Sequence, residues 1–260
     1  MSVAPGWTEA ELSAVEDAGL NASAPPQQRW VDGWLVRLNP GKAKRARCVN
    51  ALAAGRRPLD EKLTEVQRDF DAAGLAMVVR ITPFTAPAAL DADLDARGFL
   101  AFDDTCVLAG RLHEMALHEA LPPALALQRA APEDYADIVG ALRGSGSTQR
   151  RAHAQRLLQS PVPYDGFVLR RGAEVLACGQ TAREGRHVGL YDVFTAEAAR
   201  SQGLSRLLCA QLLRQAAADG ARVAYLQVDA GNTPALRVYR RLGFVDAYRY
   251  HYRARDPGAA

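Results

Sequence analysis

The stretch "RSQGLSRLLCAQLLRQAAADG" (residues 200–220) decides the fold. It follows "RHVGLYDVFT" (186–195), whose apolar residues read as a buried strand. The strand ends near a basic residue, Arg200, and a single glycine, Gly203, opens a long amphipathic helix that Gly220 stops. The first turn of a helix leaves backbone N–H groups without partners, and the helix dipole favours an anion there. Gly203 has no Cβ, so a phosphate can come close to the backbone. Ser205 can add a hydroxyl and Arg200 a charge. Taken alone, this spacing also suits an ordinary capped helix.

The flanking sequence extends the pattern. Downstream come a strand, "RVAYLQVD" (222–229), a helix, "NTPALRVYRRLGF" (232–244), and a last strand, "DAYRYHYRA" (246–254). Asn232 suits the N-cap of that helix. Upstream lie a strand at 124–130, helices at 131–143 and 149–160, and a hairpin of 166–172 with 173–185.

The first half has the same grammar. Thr8 and Glu11 form a capping-box pattern for a helix at 8–22, and "APPQQRW" (24–30) breaks structure. Strands are expected at 33–39, 46–52, 76–82 and 101–112, with helices at 58–75 and 86–99. "ALDADLDARGFLAFDDTCVLAGRL" (89–112) and "ALRVYRRLGFVDAYRYHYRAR" (235–255) both run from a helix through Gly-Phe into a strand. A long helix and a short apolar strand precede each, which makes an internal repeat. The expected organisation is an N-terminal lobe (1–115), a linker (116–123) containing Pro122-Pro123, and a second lobe (124–260).

Composition narrows the function classes. The chain has 260 residues, 48% hydrophobic and 23% charged, with a formal charge of +3, too mild to imply nucleic acid. Lys42, Lys44 and Lys62 are the only lysines; the other basic residues are arginines, which suit carboxylate and phosphate partners. Cys48, Cys106, Cys178 and Cys209 form no C-x-x-C pair and are expected as buried thiols. His113 and His118 do not share a helical face, and no metal site is expected. There is no leader-like start and no apolar run long enough for a membrane span, so a cytoplasmic protein without membrane contact is expected.

The order strand, R-x-x-G-x-S, long helix, buried strand, Asn, helix, Tyr, Leu-Gly-Phe resembles the GCN5-related N-acetyltransferase (GNAT) family. The family's main motif, Arg/Gln-x-x-Gly-x-Gly/Ala, is matched by Arg200 and Gly203, with Ser205 as a departure. Its later motif is matched by Asn232, Ala235, Tyr239, Gly243 and Phe244. The resemblance covers roughly 124–255, and the first half resembles a degenerate copy. It implies an α/β (α+β) fold of two GNAT-like lobes, each a mixed, mostly antiparallel twisted sheet flanked by helices.

The resemblance also implies acetyl-CoA. Its pyrophosphate would lie on Ser201, Gln202, Gly203, Leu204, Ser205 and Arg206, with Arg200 supplying charge, and its pantetheine arm beside Val193, Phe194 and Thr195. Asn232 would hold the arm, cap its helix, or both. A neutral amine would attack the thioester, with a backbone N–H near Val193 or Phe194 stabilising the oxyanion. Tyr239 stands where the family carries its general acid. For the general base, Asp192, His187, and water or a remote residue remain open. The position matching Tyr239 in the first half is Leu94, and no glycine motif precedes the helix at 58–75, so that lobe is expected to lack an acetyl-CoA site. It would be a wall of the acceptor pocket or scaffold, with Trp7, Trp30 and Trp34 as core or as an aromatic rim. The expected acceptor is a small or amino-acid-like primary amine. Rival readings are a non-catalytic acyl-CoA-binding module, and an acyltransferase that uses a longer acyl-CoA or a protein amine. The oligomeric state, a homodimer included, is left open.

Overall fold

The computed structural model describes residues 5–41 and 43–260; residues 1–4 and Lys42 lie outside them. The first half runs α1 (Glu9–Ala22), β1 (Gln28–Val31), β2 (Trp34–Arg37), β3 (Val49–Ala51), α2 (Leu59–Ala72), β4 (Val79–Ile81), α3 (Leu90–Asp95) and β5 (Leu100–Arg111). The second half runs β6 (Ala126–Ala130), α4 (Pro132–Leu142), α5 (Ser147–Leu158), β7 (Tyr164–Arg171), β8 (Glu174–Glu184), β9 (His187–Thr195), α6 (Leu204–Ala218), β10 (Val223–Asp229), α7 (Thr233–Leu242) and β11 (Val245–Ala254).

Local chemistry accounts for most of these elements. Thr8 caps α1 through a complete capping box with Glu11. Asn232 caps α7 by accepting from the Ala235 N–H at 3.2 Å. Several boundaries differ from the sequence reading: the helix expected at 86–99 covers only Leu90–Asp95, and the strand expected at 76–82 only Val79–Ile81. Residues 28–30, expected to break structure, belong to β1 with Val31, because Asp32 (φ +42°) and Gly33 (φ +86°) make the two-residue hairpin turn that an Asp-Gly pair favours. The strand expected at 46–52 starts only at Val49, after a tight 3₁₀ turn at Lys44–Ala46.

All the strands form one mostly antiparallel sheet in the order β1-β2-β3-β4-β11-β5-β10-β9-β8-β7-β6. The last strand of each half is exchanged. β11 lies between β4 and β5, and β5 lies between β11 and β10. The halves therefore meet as an approximate two-fold: parallel β3–β4 on one side mirrors parallel β9–β10 on the other. Residues 116–123 contain no helix or strand, and the sheet is continuous across the two halves they join. The apolar core follows this plan, with clusters under α6 and α7, under α2 and α3, and at the seam beneath α1. All four cysteines are free and buried.

The pairing of β9 and β10 positions the site. They pair from His187–Val223 to Leu190–Leu226 and no further. β9 continues to Thr195 on β8, and β10 continues to Asp229 on β5. Each is held by its outer neighbour, so the two part, and residues 191–195 face a gap. The equivalent place in the first half is covered: the Ala51 carbonyl, at the end of β3, accepts from the Ala86 N–H at 2.9 Å.

Candidate active site

A cavity of about 330 Å³ opens where β9 and β10 part. From the second half it is lined by Asp192, Val193, Asn232 and Tyr239, and by Arg143, Arg156, Tyr164, Tyr191 and Gln227. The first half adds Ser23, Ala43, Arg45 and Ala46, so it forms a wall of the cavity.

A bulge in β9 shapes one side. Gln180 opposes Tyr191 and Cys178 opposes Phe194, so Asp192 and Val193 together face Gly179. Asp192 takes a positive φ of +49°, a strained conformation that its neighbours must maintain. Its carbonyl accepts from the Tyr135 hydroxyl at 3.1 Å. Its carboxylate lies 3.1 Å from Arg143 Nη1, 3.1 Å from His153 Nε2 and 3.6 Å from Arg156 Nη2. Burial pushes the Asp192 carboxyl up, but the His153 contact and the Arg143 and Arg156 charges outweigh it and hold the group well below the usual carboxylate range. Asp192 is therefore an anchored anion at neutral pH and a weak proton acceptor.

Tyr239 enters from α7. It is nearly buried, and burial, with the neighbouring Cys209, pushes its phenol well above the usual tyrosine range. It stays protonated at neutral pH, as a proton donor requires. His187 begins β9, four residues before Tyr191 and outside the cavity lining. Burial pushes its imidazole down, with Glu184, Arg186 and Asp17 as charged neighbours. The structure thus brings Asp192, Val193, Asn232 and Tyr239 together and leaves His187 at the other end of the strand.

The turn before α6 carries the remaining residues singled out in the sequence. Gly203 is the N-cap of α6, with φ +75° and open space where a Cβ would stand. Ser201 also takes a positive φ, of +62°. With no side-chain cap, the first amides of α6, from Leu204 onward, are left for an anion. The Arg200 guanidinium lies 5.9 Å from the Phe194 ring centre, and Arg143 lies 5.5 Å from the same ring. Gln202 donates to the Ala198 carbonyl at 3.3 Å. Ser205 lies beside the Cys209 thiol, one turn along α6. Arg206 pairs with Glu119 at 2.7 Å, so it is already engaged. Phe194 and Thr195 continue β9 from the cavity toward this turn.

Arg45, Arg143, His153, Arg156, Tyr164 and Tyr191 were not singled out in the sequence. "QRRAHAQR" (149–156) carried a faint signal, since His153 and Arg156 share a helical face. Arg45 carried none, because it meets Gln227 only through the tertiary fold. None of Trp7, Trp30 and Trp34 lines the cavity: Trp7 and Trp34 are buried core, and Trp30 is exposed. The aromatic wall is Tyr164, Tyr191 and Tyr239.

This fold, with its parted parallel strands and glycine-led helix, is the one seen in GCN5-related N-acetyltransferases. More particularly, residues 9–253 match the family described as "Probable histone acetyltransferase Rv0428c C-terminal", and the chain belongs to that family. Solved structures share the fold. A GCN5-related N-acetyltransferase from Kribbella flavida is 18% identical with TM-score 0.73, covering 95% of this chain and 96% of that one. A tandem GNAT protein from the clavulanic acid biosynthesis pathway is 15% identical with TM-score 0.61, covering 78% and 72%. A GCN5-related N-acetyltransferase from Sphaerobacter thermophilus is 16% identical with TM-score 0.57, covering 77% and 67%. Among curated proteins none matches the chain. No helix among the described residues is long and apolar enough to cross a membrane.

Proposed function

We propose that this protein is an acetyl-CoA-dependent N-acetyltransferase acting on a primary amine of a small molecule. The observation that carries this reading is the parting of β9 and β10 after Leu190 and Leu226, between the uncapped start of α6 and the buried Tyr239. The residues present fit the cofactor. The α6 turn, with Gly203 and Arg200, suits a pyrophosphate. The free edge of 191–195 suits a pantetheine amide chain, which pairs as a strand does. Acetyl-CoA, when bound, supplies the activated acyl group. Tyr239 would hold a proton for the thiolate set free as the amine nitrogen bonds to the acyl carbon, and edge amides near Val193 would polarise the acyl oxygen. Asp192 positions Arg143, His153 and Arg156 and holds the bulge. The amine's proton then leaves through solvent or another cavity group. The cavity volume, and the wall that Ala43, Arg45 and Ala46 add to it, favour a small acceptor over a folded protein surface.

The test is CoA release from purified protein and acetyl-CoA, with amines, amino acids and lysine peptides, including a histone-tail peptide because of the family's description. Turnover with small amines, falling about a hundredfold or more in Tyr239→Phe while acetyl-CoA binding is kept, is the expected result. Tight acetyl-CoA binding without turnover would favour a binding module, and turnover of peptides alone would make the acceptor a protein amine.

A further inference from the structure

The cavity holds one cation more than its anions balance. Among the described residues, Arg45, Arg143, Arg156, Asp192 and Asp229 are its charged lining. Asp192 engages Arg143 and Arg156, and Asp229 turns its Oδ1 to the Gly231 N–H at 2.7 Å. Arg45 remains, and no carboxylate among the described residues pairs with it.

The polar neighbours of Arg45 are neutral. Its Nη1 donates to Gln227 Oε1 at 2.8 Å, and the Tyr250 hydroxyl donates to the same oxygen at 2.9 Å. Its guanidinium stands 5.8 Å from the Tyr191 ring centre, and its buried Nε has no hydrogen-bond partner. A half-buried guanidinium without an anion carries a cost, because burial removes part of its hydration. Its backbone is held in place, since the Arg45 carbonyl accepts from Arg37 Nη1 at 3.3 Å. Such a group is prepared for an anion that arrives with a ligand.

The position of Arg45 indicates which ligand. It lies against Tyr191, where β9 and β10 begin to part, whereas Arg200 lies against Phe194, three residues nearer the α6 turn. Arg45 is thus at the end of the gap away from the phosphate-binding turn, on the wall built by the first half. The unbalanced charge is a single positive one, which matches one carboxylate; a phosphate dianion would need a second free cation. We propose that the acceptor amine carries a carboxylate and that Arg45 binds it, so that the substrate class is amino acids or similar ω-amino acids. The inference rests on the acetyltransferase reading above and assigns the first half a role in choosing the acceptor.

The test compares free amino acids with their carboxamides in the CoA-release assay, beside calorimetric titration of acetyl-CoA alone. The expected result is a kcat/KM about tenfold or more higher for an acid than for its carboxamide. Arg45→Gln should remove that preference, mainly by raising KM for the acid, so that acid and carboxamide turn over with similar kcat/KM. Arg45→Lys should keep part of the preference. Equal turnover of acid and carboxamide by the native protein, which needs no variant to fold, would overturn the inference. So would a preference that survives in Arg45→Gln, or acetyl-CoA binding with turnover of uncharged amines only or of no amine in the panel. Absence of acetyl-CoA binding would instead remove the acetyltransferase reading, and this inference with it.

Discussion

The hydroxyl of Tyr135, on α4, donates to the backbone carbonyl of Asp192 at the β9 bulge, 3.1 Å away. Gly166, on β7, makes that reach possible: a Cβ there would stand 2.6 Å from the Tyr135 ring. Gly166→Ala should therefore push the ring away from the sheet. The expected cost is about 1–3 kcal/mol of stability, as for other overpacked sites. Tyr135→Phe removes only the hydroxyl and should cost about 1 kcal/mol. In both, kcat should fall more than acetyl-CoA affinity, because the bulge shapes the acceptor side. Thermal melts with steady-state kinetics check this; unchanged kcat in Tyr135→Phe would show that the bulge holds without its hydroxyl bond.

Gly203→Val places a β-branched side chain at φ +75°. The left-handed conformation should cost about 1–2 kcal/mol. The first amides of α6 would then turn from the direction an anion needs, so acetyl-CoA affinity should fall about tenfold or more, at one pKd unit per 1.4 kcal/mol. Titration calorimetry measures the affinity directly. A variant that binds acetyl-CoA as the native protein does would place the pyrophosphate elsewhere.

Stability at low pH should depend on Glu16. This buried carboxylate on α1 pairs with Arg80 of β4 and accepts from the Tyr248 hydroxyl of β11 at 2.5 Å. Burial pushes its pKa up, but Arg80 and Tyr248 outweigh burial and hold it below the usual value. A carboxyl lowered on folding contributes its stability fully above the unfolded pKa of about 4.3. That contribution is lost as pH falls from there through the lower folded value, where the native state must take up the proton. Glu16→Gln leaves Arg80 buried without its anion and should cost about 3–5 kcal/mol at pH 7. It should also flatten the loss of stability below pH 4.3, which urea unfolding across pH 2–7 would follow.

The exchanged strands predict how the chain can be divided. Both neighbours of β5, namely β10 and β11, belong to the second half. Fragments 1–115 and 124–260 should therefore each aggregate or stay poorly folded when expressed alone, with open strand edges. Co-expressed, they should recover a soluble complex of one copy each. Two independently folded fragments with cooperative melts would show that each half can close on its own last strand.

Where elements follow from neighbours in the chain, they were legible in the sequence. The α1 capping box, the Asn232 cap, the glycine-led α6 and the repeated helix–Gly-Phe–strand unit depend on residues a few positions apart. That was enough for the fold class and for the places of Gly203 before α6 and of Asn232 and Tyr239 at the cap and in the body of α7. The short β1 was missed because the proline pair beside it outweighed the Asp-Gly turn that forms it.

Long-range packing decided the rest. Whether the halves share a sheet depends on which strand edge meets which, and the periodicity of a strand is the same for either partner. Asp192 read as a candidate base on a strand; Arg143 at the end of α4 and His153 and Arg156 on α5, with the bulge, make it an anchored anion. His187 has the more suitable intrinsic pKa, but the direction of β9 carries it out of the cavity. Arg45 is an unremarkable basic residue in sequence, 182 positions from Gln227, and becomes part of the site only when the first half folds against β9 and β10. Chemistry held within a turn or a cap is written locally, whereas the charge balance of a cavity is summed over elements that only the folded chain brings together.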